Sequence, residues 1–61
     1  MGLHERESQY IRLLGDRDHT VAQLAQKLFI SQPTVRRDVA TMRERGLVKC
    51  VRGLVRLETA S

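Results

Sequence analysis

Apolar and polar positions along the chain change their period once, at Gly46. Before it the spacing is helical. Between Leu3 and Leu14, the apolar Leu3, Tyr10, Ile11 and Leu14 recur at intervals of three, four and seven among charged residues, which predicts an amphipathic first helix. Gly15 fits its stop, and GDRDH reads as a polar connection. In VAQLAQKLF, Val21, Leu24, Ala25 and Leu28 share one face. Thr20 precedes them and Gln23 follows Thr20 by three residues, the spacing of a capping box, so a second helix is predicted over about Val21 to Leu28. Phe29 and Ile30 are expected to turn the chain while staying buried. Ser31 is the next N-cap, Pro33 fits a first helical turn, and Val35, Val39 and Met42 repeat at four and three residues. With Gly46 as its left-handed stop, the third helix spans roughly Gln32 to Arg45.

Beyond Gly46, LVKCVRGLVRLE sets Val and Leu at short intervals around Arg52 and Gly53, the pattern of two short strands joined by a tight turn. Thr59 to Ser61 read as a frayed end. The fold class predicted is mainly α: a three-helix winged helix-turn-helix with a C-terminal two-stranded β-hairpin wing. One domain occupies residues 1–61, with the helix-turn-helix over about 20–45 and the wing over about 47–58.

Composition narrows the function. With only Tyr10 and Phe29 as aromatics, the core must come from aliphatic side chains, and these two rings read as part of it rather than as platforms for stacked bases. The single Cys50 cannot form an intrachain disulfide and reads as a small buried strand residue, a redox-sensing thiol being the remote alternative. No apolar run approaches a membrane span and no signal-peptide layout opens the chain, so a cytoplasmic protein without a membrane partner is expected. His4 and His19 lie far apart without further ligands, so no metal is expected. Ser31 has no histidine at motif spacing and no Gly-rich loop opens a helix after a strand. Neither an enzyme nor a cofactor is predicted.

Charge is distributed unevenly. The formal net charge is +4. Residues 1–30 balance Arg6, Arg12, Arg17 and Lys27 against Glu5, Glu7, Asp16 and Asp18. Residues 31–61 set Arg36, Arg37, Arg43, Arg45, Lys49, Arg52 and Arg56 against Asp38, Glu44 and Glu58 alone. The whole excess lies there, the footprint expected of a nucleic-acid binder. With Val35 facing the core and about 100° of rotation per residue, Pro33, Arg36, Arg37, Ala40 and Glu44 face away from it. In a helix-turn-helix the second helix enters the major groove by its N-terminal residues. Gln32, Thr34, Arg36 and Arg37 hold that end. Arg can donate two bonds to guanine, Gln can pair bidentately with adenine, and hydroxyls at a helix N-terminus suit phosphate oxygens. Lys49, Arg52 and Arg56 would serve the flanking backbone from the wing. Ser31 and Thr20 are helix caps that can also touch phosphate. Asp38 should face neither core nor groove squarely and pair with a neighbouring arginine, direct reading of cytosine being the alternative. Arg43 and Arg45 are explained by the helix dipole.

VAQLAQKLFISQPTVRRDVATMRERGLV also resembles the N-terminal winged helix-turn-helix of the DeoR family of bacterial transcription regulators, with its LA…L.VS..T(I/V)RRDL…L…G.(I/V) pattern. The resemblance runs from about Arg6 to Gly53 and rests on Ser31, Thr34, Arg36, Arg37 and Asp38. It implies binding of double-stranded operator DNA, usually in repression, with Arg36 and Arg37 as the family's arginine pair. Cys50 departs from that family's arginine, Arg52 from its histidine, and Gly53, Leu54 and Val55 from its Gly-Gly-Ala. Arg52 is the available substitute for the arginine absent at Cys50. The family's effector-sensing and oligomerising domain is absent from these residues, so no small-molecule effector site is expected here. The isolated domain should be monomeric, with a homodimer possible on DNA. A winged-helix module that docks protein or RNA through the same basic face is the alternative from another class.

Overall fold

The computed structural model describes residues 3–58. The element order is α1 (Leu3–Asp16), β1 (His19–Thr20), α2 (Val21–Leu28), α3 (Gln32–Glu44), β2 (Val48–Val51) and β3 (Leu54–Leu57). The chain is thus a mainly helical winged helix-turn-helix. The expectation of fraying at Thr59 to Ser61 lies outside the described residues.

The local signals explain the element ends. Thr20 Oγ1 accepts from the Gln23 N–H at 3.1 Å, and Gln23 Oε1 accepts from the Thr20 N–H at 3.0 Å, so the predicted capping box starts α2. Ser31 caps α3, and Pro33 stands in its first turn, where its missing N–H leaves no intrahelical bond unmade. At the far end of α3, Gly46 has φ 78°, and the Gly46 and Leu47 N–H groups donate to the Arg43 and Met42 carbonyls at 3.0 and 2.9 Å. This is the Schellman closure that a Cβ would disfavour. Arg52 and Gly53 join β2 to β3 with φ of 53° and 80°, and the positive pair gives the two-residue turn the twist of the hairpin.

Three expectations are corrected. The first helix does not stop at Gly15: it runs to Asp16, with Gly15 inside it and 3.7 Å between Leu57 Cδ1 and the place a Cβ would take. The stretch read as a polar connection ends in β1 at His19, and β1 pairs antiparallel with β3 through His19 with Val55 and Thr20 with Leu54. The sheet therefore has three strands in the order β1-β3-β2, not two. His19 is 2% exposed, and its Nδ1 lies 2.8 Å from the Arg17 carbonyl. A carbonyl only accepts, so Nδ1 carries the proton, leaving Nε2 buried without a hydrogen-bond partner among the described residues.

Phe29 is the third correction. It does not stay buried. It caps α2 with φ 57° and ψ 43° and is 94% exposed, because the left-handed turn that reverses the chain aims its side chain outward. Ile30 is half-buried and packs on the core. That core gathers Tyr10 and Leu14 from α1, Leu24 and Ala25 from α2, Val35, Val39 and Met42 from α3, with Val48 and Val55 from the sheet. One side of α3 is therefore committed inward, and Arg36, Arg37, Ala40 and Glu44 are exposed on the other, as the rotation argument predicts.

Candidate nucleic-acid interface

The exposed end of α3 begins at Ser31. Its Oγ accepts from the Thr34 N–H at 3.4 Å and lies 2.9 Å from the Thr34 hydroxyl, so the two hydroxyls are tied together at the helix N-terminus. Gln32 is exposed in the same turn, Thr34 is half-buried, and Arg36 and Arg37 follow one turn on, both exposed. Among the described residues neither arginine makes an ion pair. Five of the eight candidate residues, Ser31, Gln32, Thr34, Arg36 and Arg37, thus share the first two turns of one helix and its cap.

The other three sit on the sheet. Thr20 is half-buried on β1, and its pairing with Leu54 sets the cap of α2 beside the wing strand β3. Lys49 is exposed on β2, with its Nζ 3.7 Å from Glu58, and Arg56 on β3 has its Nε 3.4 Å from Asp18. Arg52, at the turn, is the wing cation that makes no ion pair among the described residues. Cys50 lies on a strand, as expected, but it is exposed. Val48, two residues earlier on the same strand, is buried in the core, so the cover over this face of β2 ends before Cys50.

Asp38 differs most from its expected role. It does not pair with an arginine of its own helix. It is buried at 5% exposure, with Oδ2 accepting from Arg6 Nε at 2.7 Å and from the Tyr10 hydroxyl at 2.7 Å, and Oδ1 accepting from Arg6 Nη2 at 3.1 Å. Burial pushes its carboxyl up, but the hydrogen bonds from Arg6 and Tyr10, aided by the charges of Arg6 and Arg37, outweigh this and hold it below the usual carboxylate range. Burial, and then the bond to Asp38, push the Tyr10 phenol well above its ordinary value. The bond to Asp38 raises the Arg6 guanidinium further. Nearby, Arg45 donates to Glu7 at 2.9 Å, a second tie between α1 and α3. The sequence did carry a signal for this cluster. Asp38 stands three residues after Val35 and four before Met42, on the apolar face, where a carboxylate demands a partner, and Arg6 and Tyr10 are spaced i, i+4 on one face of α1.

Among the described residues no three His, Cys, Asp or Glu side chains are grouped to hold a metal, and no helix is long and apolar enough to cross a membrane. Compared with known proteins, residues 1–60 match the model of a family described as the MarR family. No curated protein and no solved structure matches the chain.

Proposed function

The chain belongs to the MarR family, and we propose that it is the operator-binding module of a bacterial transcription repressor, reading double-stranded DNA with α3 in the major groove. The observation that carries this reading is which cations are free. Of the exposed cations without an ion pair among the described residues, Arg36, Arg37 and Arg52 stand on the first turns of α3 and the wing turn, and Arg12, Lys27 and Arg43 on α1, α2 and the last turn of α3, whereas Arg6, Arg45, Lys49 and Arg56 are matched to carboxylates. Gln32, Arg36 and Arg37 read base edges in this account. Ser31, Thr34 and Thr20, with Lys49 and Arg52 of the wing, hold phosphates. The Ser31 to Asp38 motif supports a DeoR-type recognition helix within that reading, though the family matched over residues 1–60 is MarR. The module is single and non-enzymatic, works in the cytoplasm without cofactor or effector site of its own, and pairs as a homodimer on a two-fold operator.

A binding selection from randomised duplex DNA at moderate salt, run with the wild-type chain and with Arg36→Ala, tests this. An enriched motif that the variant loses is the expected outcome. No enrichment by a wild-type chain with intact helical circular dichroism would overturn it. One observation favours a second reading, a protein-docking module: Phe29, almost wholly exposed, stands two residues before the α3 cap. Weak, sequence-blind DNA affinity that tolerates Gln32→Ala would mark that case.

A further inference from the structure

Asp38 is a charged residue in a position that an apolar side chain would fill. It lies on the face of α3 that carries Val35, Val39 and Met42 into the core, and replacing a buried ion pair by hydrophobic residues is often neutral or stabilising. Stability alone therefore does not explain it. Its bonds all come from one direction: Arg6 and Tyr10, 32 and 28 residues away, both belong to α1. The backbone of α1 lies chiefly against β3, so its tie to α3 runs through side chains. Beside the shared apolar core, two polar ties join them among the described residues, at Asp38 in the middle of α3 and at Arg45 just past its end, where Glu7 accepts. Apolar contacts permit a helix to roll by a few degrees. A carboxylate that accepts a two-pronged guanidinium and a phenol does not, because each bond is directional.

We propose that the Arg6–Tyr10–Asp38 cluster is a positioning device that sets the roll of α3, so that Arg36 and Arg37, the two residues before Asp38, are aimed at the bases. The aim depends on the reading of α3 as a recognition helix; the setting of the roll does not. The cluster has a second effect on the same site. Asp38 takes its hydrogen bonds from α1, so the adjacent Arg37 makes no ion pair with it and is left exposed for a ligand.

The test compares Tyr10→Phe, which removes one bond and keeps the ring, and Asp38→Asn, with Val55→Ala, a core change outside the cluster. The probes are a duplex enriched by the wild-type chain and a scrambled duplex of the same composition, both used well below every melting temperature. Tyr10→Phe and Asp38→Asn are expected to lower the ratio of affinities for the two by about tenfold, the discrimination of one bidentate arginine–guanine contact. Val55→Ala should leave the ratio unchanged despite a comparable loss of melting temperature. In an Arg37→Ala background the effect of Tyr10→Phe should largely vanish. Residual dipolar couplings of the α3 amides, measured without DNA, are expected to show α3 rotated relative to α1 in both cluster variants. Unchanged couplings overturn the proposal, as does an unchanged ratio. If the wild-type chain enriches no duplex, the DNA reading falls and the couplings alone decide whether the cluster sets the roll.

Discussion

Phe29 occupies a conformation that suits its residue type poorly. A left-handed backbone crowds Cβ against the following carbonyl at a cost of about 1–2 kcal/mol, and at this place in a helix end Gly or Asn is the usual occupant. Nothing in its burial offsets this, since the ring is 94% exposed. Phe29→Asn is expected to raise unfolding free energy by about 0.5–1 kcal/mol, read from the urea midpoint; a lower midpoint would mean the ring makes stabilising contacts. From sequence, an apolar residue between two helices reads as buried, and only knowledge that this residue must turn left-handed would have said otherwise. Asp38 carries the opposite lesson, a charge expected to face neither core nor groove that the fold buries beside the core. Because its folded carboxyl is held below the ordinary value, its contribution is present above about pH 4 and is lost as pH falls through the lowered folded value. Thermal melts of the wild-type chain and Asp38→Asn should therefore differ by a constant amount near neutrality and converge in acid. A gap that stays constant down to pH 2 would contradict the assignment of Asp38 as the ionised partner of Arg6.

At the scale of elements, α2 and α3 were legible because polar residues mark their ends: Thr20 with Gln23, Ser31 with Pro33, and Gly46 all act where their chemistry predicts. The hairpin was legible from its change of period. β1 was not, since two residues cannot show alternation and His19–Thr20 owes its extended form to pairing with β3. The five candidates on α3 were legible by helical geometry, whereas of the tie from α1 only the need of Asp38 for a partner was legible, since the partners lie 32 and 28 residues away. This division separates two elements by function. If α3 reads bases and the wing holds phosphates, Arg37→Ala should cost roughly 1–3 kcal/mol on an enriched duplex and little on a scrambled one. Arg52→Gly, which keeps a residue suited to the positive φ while removing the charge, should weaken both duplexes equally. Equal losses for both variants on both duplexes would reduce Arg37 to a phosphate clamp.

At the scale of the molecule, the described residues span only 31 × 23 × 18 Å, so DNA affinity rests on few charges. Six exposed cations make no ion pair among the described residues, Arg36, Arg37 and Arg52 in the proposed interface and Arg12, Lys27 and Arg43 outside it, while Lys49 and Arg56 are held at 3.7 and 3.4 Å by Glu58 and Asp18. Each neutralised phosphate contributes a slope of about −0.9 to log affinity against log salt. Arg36 and Arg37 read bases in this account, so Arg52 alone would give roughly −0.9, and recruitment of the two paired wing cations roughly −2.7. Exposed ion pairs of this kind are worth only about 0–1 kcal/mol, less than a phosphate contact offers in return. The steeper slope, about −2.7, is therefore expected on the enriched duplex, and a slope near −0.9 would show that both wing pairs survive on DNA. The acidic partners then become the adjustable part of the molecule. Asp18→Asn and Glu58→Gln should raise affinity for enriched and scrambled duplexes alike, since they free cations that DNA must otherwise strip from their carboxylates, and should leave the ratio between the two duplexes untouched.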